Sequence, residues 1–310
     1  MPRPWSPGAA QSVCDAFVTR AGLTGARPEL ISFRQNAIFH LAGHDLSLRV
    51  YGPWEDPARA TLMVNCARWL EARNLPAVRL SPSVTAQPFD LLGYQASVWR
   101  WIAHDRQDPD APFRHGRLMR RFHALDAGAA FAVPPFDPLI KIRRRLDRLS
   151  AGNIVPPDAR AVLEGVYTRA AALQPALHRT KLGHGLLHGD ASPGNVIQSG
   201  GEMIMIDLDS VCFGPREWDL VPTAIISRRF DQDGQARWRA FLDGYGIGET
   251  DWPELHAASL IKQLSMTVYL CLSAGQSPGI DAEIGRRLRT WMDWDFDGRW
   301  TTGFTAGTPG

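Results

Sequence analysis

The chain has 310 residues, 45% of them hydrophobic and 21% charged, and a formal net charge of +2. That length suits two lobes, each able to bury its own core, with the composition of an ordinary soluble protein. Positive charge is concentrated nowhere, so nucleic-acid binding is not expected: the densest run, Arg143-Arg144-Arg145 with Arg148 on a helical period, reads as a solvated helix face. The basic residues are nearly all arginine, with lysine only at Lys141, Lys181 and Lys262. Cys14, Cys66, Cys212 and Cys271 are far apart and form no C-x-x-C pair, which argues against a zinc site or disulfide framework and suits a reducing compartment. The opening residues lack the apolar stretch of a secretory leader, and the apolar segment 259–274 is interrupted by Lys262 and Gln263. A cytoplasmic protein with no membrane partner is expected.

Residues 11–21 read as a short opening helix, and 30–33, 37–41 and 46–51 as three strands, the last two joined by Ala42-Gly43-His44-Asp45. Leu62, Cys66, Trp69 and Leu70 give 57–73 the spacing of an amphipathic helix, started by Glu55-Asp56-Pro57 and stopped at Asn74. Two more strands, 88–92 and 95–99, complete a five-stranded sheet with one helix across it by about residue 100. The remainder reads as helical. Segment 113–127 puts Leu118, Phe122 and Leu125 on one face, and Asp137-Pro138 opens a helix running to about residue 150. Helices follow near 157–175, 216–226, 233–245, 251–274 and 280–294, broken only by a hairpin at 195–207. The class is α+β: an N-terminal lobe (1–98), a hinge (99–103), a helical lobe (104–300) and a frayed tail (301–310). A cleft between two lobes is where a ligand site is expected.

Chemistry concentrates in His188-Gly189-Asp190-Ala191-Ser192-Pro193-Gly194-Asn195 and Ile206-Asp207-Leu208-Asp209. Between them, apolar residues flank Ser199-Gly200-Gly201-Glu202, read as a hairpin with a four-residue loop. Pairing Gln198 with Met203 sets Asn195 opposite Ile206 and leaves Asp207 one step beyond. An amide and a carboxylate then share one rigid end, as a hard cation bound to phosphate requires. Asp190, on the loop entering the hairpin, is placed to accept a proton from a substrate hydroxyl. This is a phosphoryl-transfer layout.

Leu187-His188-Gly189-Asp190 through Asn195-Val196 resembles the H-G-D-x-x-x-x-N signature of the aminoglycoside phosphotransferase and choline kinase superfamily, small-molecule kinases with a bilobal protein-kinase-like fold. Ile206-Asp207-Leu208-Asp209, followed by Gly214-Pro215-Arg216-Glu217-Trp218-Asp219-Leu220, is similar to that family's I-D…G-x-x-x-x-D-L segment. The resemblance implies that Asp190 is the catalytic acceptor of the hydroxyl proton. It implies that Asn195 and Asp207 hold Mg²⁺ on the phosphates of ATP or GTP, with metal and positioning supplying most of the catalysis. Asp209 approaches a second metal or the acceptor, or bonds backbone amides. His188 braces the loop, and Asp219 is structural.

Departures from the pattern are specific. No lysine precedes Lys141, so Arg49 on the third strand stands where the family's phosphate-binding lysine would be; a guanidinium can grip phosphate bidentately. The alternative is an edge arginine facing solvent. The usual glutamate on the following helix is missing, Met63 or Asn65 occupying its place, and Glu71 faces water. The first hairpin has no glycine, which leaves Ser32 and Asn36, with Arg34, as phosphate contacts. The resemblance implies that backbone groups of Arg100 and Ile102 pair with the base and that Trp99 sets the pocket's depth, while Trp101 packs. For the acceptor, Asp281, Glu283, Asp293, Asp295 and Asp297, interleaved with Trp291, Trp294, Phe296 and Trp300, suit either a polycationic antibiotic or an anchored terminal segment. The arginine-, alanine- and proline-rich composition resembles high-GC actinobacterial proteins, where such kinases often confer antibiotic self-resistance. The expected function is phosphate transfer to a hydroxyl of an antibiotic, aminoglycoside or nucleoside-like. The alternatives are a metabolic kinase for an amino alcohol, sugar or homoserine-like acceptor, and a non-catalytic nucleotide-binding pseudokinase.

Overall fold

In the computed structural model, which describes residues 5–302 apart from 107, 127, 129, 232, 249–252 and 297, the first helix begins earlier than its apolar pattern predicts. Ser6 caps α1 (Pro7–Arg20) by accepting the Ala9 N–H, and Pro7 fits the first turn. Its buried face, Ala10, Val13, Cys14 and Phe17, packs on a sheet of β1 (Arg27–Phe33), β2 (Asn36–Ala42), β3 (Leu46–Tyr51), β4 (Phe89–Leu91) and β5 (Tyr94–Arg100). α2 (Pro57–Glu71) lies between β3 and β4 in the chain, capped by Asp56 on the Ala58 N–H and followed by Asn74 at φ 53°. The sheet is antiparallel throughout, in the order β1-β2-β3-β5-β4. Ala37, Phe39 and Leu41 of β2 alternate inward with period two, which fixes the register of Leu41 opposite Leu46. β3 is therefore central, and Arg49 is not on an edge.

Next come α3 (Ala111–His123), α4 (Pro138–Ala151), α5 (Pro157–Leu173) and β6 (His184–Leu187). β7 (Val196–Ser199) and β8 (Glu202–Met205) form the expected hairpin, with Gln198 opposite Met203 and the Ile206 N–H on the Asn195 carbonyl at 3.0 Å. Its loop is two residues rather than four, because Ser199 and Glu202 pair and Gly200 and Gly201 supply φ of 56° and 80°. β9 (Cys212–Pro215) pairs antiparallel with β6, a second small ladder that the helical reading of this region did not anticipate. α6 (Glu217–Arg229), α7 (Gly234–Tyr245), α8 (Pro253–Cys271) and α9 (Pro278–Met292) complete the chain. The first two residues predicted for the 251–274 helix, Asp297, and residues 303–310 of the predicted tail lie outside the described residues.

The chain divides into two compact units. One holds Met1–Ala111, Ala127–Val133 and Gly194–Val211; the other holds Pro112–Asp126, Pro134–Pro193 and Cys212–Gly310. The β7–β8 hairpin belongs to the first because Met205 and the segment after α2 exchange backbone bonds, Val78 N–H to Met205 O and Met205 N–H to Pro76 O. In the second, α8 is the central helix, packed by α4, α5, α6 and α9 around Ile142, Leu146, Leu163, Ile261, Leu264, Val268 and Trp291. No helix among the described residues is long and apolar enough to cross a membrane.

The arginine run of α4 is only partly solvated. Arg143 forks onto Glu164 at 2.7 Å through both terminal nitrogens, and Arg145 lies over Tyr269 and bonds Ser265 Oγ at 3.1 Å, both residues of α8. Among the C-terminal acids and aromatics, Glu283, Asp281 and Trp300 anchor the terminal segment. Glu283 is buried and paired with Arg287 at 2.9 Å, Asp281 accepts the Gly275 N–H, and Trp300 is held between the guanidinium groups of Arg229 and Arg287.

Candidate active site

In the first unit, three elements bring one cation and two carboxylates together. Arg49 leaves the middle of β3 with 11% of its side chain exposed; its Nη1 donates to Asp207 Oδ1 at 3.0 Å and its Nη2 to Asp209 Oδ2 at 3.1 Å. The carboxylate sought on α2 thus comes from the segment after β8, and Met63 of α2, at the expected place, meets Arg49 through sulfur at 3.6 Å. Burial acts to lower the Arg49 pKa, but Asp209 and Asp207 outweigh it and hold the group firmly charged. Its Nε is buried without a hydrogen-bond partner. Burial pushes the neighbouring Tyr51 phenol up to about 12, and that hydroxyl hydrogen-bonds Ser97. Glu71, as expected, is half exposed and reaches Arg79.

Asp207 adopts a left-handed conformation, φ 58° and ψ 59°, immediately after β8. A non-glycine residue there costs free energy, and such residues cluster at functional sites. The Ile206–Asn195 backbone bond brings the Asn195 backbone beside the start of this turn. Among the described residues no group of three or more His, Cys, Asp or Glu could hold a metal. What the unit offers is oxygen donors from one or two carboxylates and an amide. That set fits magnesium, which takes few protein ligands and completes its shell with phosphate and water.

The remaining predicted nucleotide contacts are scattered in what they do. Asn36 Oδ1 accepts the Gly52 N–H at 3.1 Å, Ser32 is half-buried on β1, and Arg34 is exposed, its carbonyl accepting Trp5 Nε1. Trp99 is buried and donates Nε1 to Ser97 Oγ at 2.8 Å. The Arg100 N–H is committed to the Arg79 carbonyl at 2.9 Å. Trp101 stacks on His40 with centroids 3.9 Å apart.

In the second unit, the loop after β6 carries Asp190 on a buried scaffold. Asp219, at the start of α6 and wholly buried, accepts the His188 N–H at 2.6 Å and the Gly189 N–H at 2.8 Å, and its Oδ2 lies 3.1 Å from His123 Nε2. Gly189 takes φ of 80°, Trp218 Nε1 donates to its carbonyl at 2.9 Å, and the Asp190 N–H donates to His188 Nδ1 at 3.3 Å. His188 and Asp219 thus shape the loop from beneath. Asp190 meets Lys262 of α8, with Nζ 2.6 Å from Oδ1 and 5.5 Å from the centre of the Trp218 ring. Burial acts to raise the Asp190 pKa, but Lys262, helped by His188 and Lys141, holds its carboxyl below the usual range. Lys262 was missed in the sequence. Its one signal there was the interruption of an apolar helix.

A five-stranded antiparallel sheet with its helix, a loop carrying Asp190 and Asn195 and a hairpin ending in Asp207 at positive φ give the arrangement of the protein-kinase-like fold. The sequence model of the phosphotransferase enzyme family matches residues 31–258, and the chain belongs to that family. It is a phosphotransferase with an alcohol group as acceptor. Among solved structures it is similar to a choline/ethanolamine kinase family protein from Mesorhizobium loti, with 21% identity over 92% of this chain and 93% of that one and a TM-score of 0.61. It is also similar to the amicoumacin kinase hAmiN, in complex with AMP-PNP, Ca²⁺ and Ami, with 13% identity over 96% and 98% and a TM-score of 0.71. A third is aminoglycoside phosphotransferase APH(3'')-Id from Streptomyces rimosus, with 18% identity over 81% and 97% and a TM-score of 0.62. At these identities the likeness is one of fold. No curated protein matches the chain in sequence.

Proposed function

We propose that the enzyme moves the γ-phosphate of ATP or GTP, as its magnesium complex, to a hydroxyl of a small molecule, with antibiotics as the first acceptors to try and metabolic alcohols as the second. The observation that carries this is the Arg49–Asp207–Asp209 cluster, in which a phosphate-gripping guanidinium is held charged beside a carboxylate suited to a hard cation. It also removes the feature that favoured a pseudokinase, since Arg49 has its carboxylates after all.

In this reading Asn195 and Asp207 hold the metal, which when bound neutralises charge on the nucleotide phosphates. Arg49 exchanges part of its pairing with the aspartates for phosphate oxygen, and its unpartnered Nε is a further donor. The Arg100 carbonyl and Ile102 amide receive the base, Trp99 limits the depth of its pocket, and Ser32, Asn36 and Arg34 lie on the phosphate side. Asp190 orients the acceptor hydroxyl and takes its proton as the new O–P bond forms and the bond to the nucleoside diphosphate breaks. Its depressed pKa suits that proton moving late, in a loose transition state.

Asp190→Asn tests the role directly. The variant keeps Mg-nucleotide binding by titration calorimetry and loses about 10²–10⁴-fold in turnover across a panel of hydroxyl acceptors run with both nucleotides. Wild-type turnover in the variant would remove Asp190 from the mechanism.

A further inference from the structure

Two of the three lysines in this arginine-rich chain act on Asp190. Lys262 holds Oδ1 at 2.6 Å with 13% of its side chain exposed, its ammonium also lying against Trp218. Lys141 is on α4, one turn before Arg145, and Arg145 bonds Ser265 of α8, which is three residues after Lys262. Leu187 of β6 pairs with Cys212, and the Phe136 N–H bonds the Phe213 carbonyl, so the first turn of α4, with Lys141, starts beside the ladder from which the Asp190 loop leaves. The Lys141 charge acts on both Asp190 and Cys212. Lys262 and Lys141 thus border the position where an acceptor hydroxyl must approach Asp190.

Taking the hydroxyl's proton neutralises the carboxylate that now balances Lys262. An ammonium so little exposed is costly to leave without a counter-charge. A polycationic acceptor would set like charge against two lysines. Of the C-terminal acids, Glu283 is paired with Arg287 and Asp281 with the Gly275 N–H. We infer that the acceptor carries an anionic group (carboxylate or phosphate) close to its reacting hydroxyl, bound by Lys262 and Lys141. The inference rests on the phosphotransfer reading for the hydroxyl at Asp190. It turns the choice of acceptor away from aminoglycosides and toward hydroxy acids or phosphorylated alcohols.

With only three lysines, enzyme labelled with ¹³C at the lysine ε-carbon gives three assignable signals, identified with Lys141→Gln and Lys262→Met. At constant ionic strength, glycerate and glycerol 3-phosphate should shift the Lys141 and Lys262 signals and leave Lys181 in place, while glycerol and ethanolamine shift neither. Equal shifts with ethanolamine, or none with both anions, would overturn the inference. In turnover assays with ATP and GTP, the same anionic alcohols should outperform glycerol, ethanolamine and kanamycin. Lys141→Gln should raise their KM about tenfold, with a smaller change in kcat. Loss of rate with every acceptor alike in Lys262→Met, together with an unaltered KM in Lys141→Gln, would assign the ammonium to the transferred phosphate and sink the proposal. Anion-specific lysine shifts without any nucleotide turnover would instead leave the anion site standing and overturn the phosphotransfer reading.

Discussion

In the proposed mechanism the nucleotide grip turns on Arg49, whose chemistry distinguishes it from the lysine of the family pattern. A guanidinium presents parallel donors and bridges Asp207 and Asp209 at once, whereas an ammonium is a point charge that satisfies one partner well. Arg49→Lys should therefore leave one of the two carboxylates underpaired and shorten the reach toward phosphate. Nucleotide titrations should show KM raised about tenfold, and chemical unfolding should show a loss of about 1–3 kcal/mol for a broken charged hydrogen bond in a buried place. An unchanged nucleotide KM would mean that the arginine serves the aspartates alone. The position of Arg49 was legible from its strand, but its partners were not: they lie 158 and 160 residues away. Its carboxylates come from the segment after β8 and not from α2. Lys262 was hidden for the same reason, since nothing local connects it with Asp190, 72 residues earlier.

Among the elements, those with their own periodic signal were readable. β2, β3 and the β7–β8 hairpin alternate apolar residues around glycine turns, and Asp56 and Asp137 cap their helices with short polar side chains, whereas the Ser6 cap lay ahead of the apolar pattern and was not read. The β6–β9 ladder had no such signal. Its strands are four residues each, β9 reads Cys-Phe-Gly-Pro, and the pairing closes across the whole hairpin that carries the metal-type donors. Helix packing was equally silent, and α3 and α7 show why. Gly116 of α3 lies against the backbone of Phe241 and Tyr245, and Gly244 of α7 lies against the backbone of Phe113. Each helix approaches so closely that a methyl group on either glycine would overlap a carbonyl of the other. Because that pair carries His123, whose ring contacts Asp219 beneath the catalytic loop, the close approach also positions Asp190. Gly244→Ala should cost about 3 kcal/mol through forced separation of the helices, read as a lower unfolding midpoint, and should lower turnover more than nucleotide affinity. Wild-type stability in this variant would show that the helices separate freely.

Buried titratable groups across the chain set the pH range over which it stays folded. Burial pushes His115 down to about 3, with His188 adding to the effect and Asp219 opposing it, and its Nε2 has no hydrogen-bond partner. The unfolded imidazole titrates near 6.5, so from there downward the unfolded chain binds a proton that the folded chain refuses. That contribution to stability is complete above about pH 6.5 and declines by ~1.4 kcal/mol per unit as the pH falls toward 3. The depressed carboxyl of Asp190 acts in the same direction at lower pH, its contribution being lost as the pH drops through its folded value. On the alkaline side the signs reverse. Burial pushes the thiols of Cys14, Cys66, Cys212 and Cys271 up to about 12 from 9.0, so above 9.0 the unfolded chain loses protons that the folded chain keeps. Stability should therefore form a plateau between about pH 6.5 and 9 and fall on both sides. Urea unfolding of His115→Gln should show the acid limb between pH 7 and 5 flattened by up to about 2 kcal/mol, with the alkaline limb unchanged. An acid limb parallel to wild type would show that the imidazole is protonated in the folded enzyme, and the burial argument for the packing of α3 would fail with it.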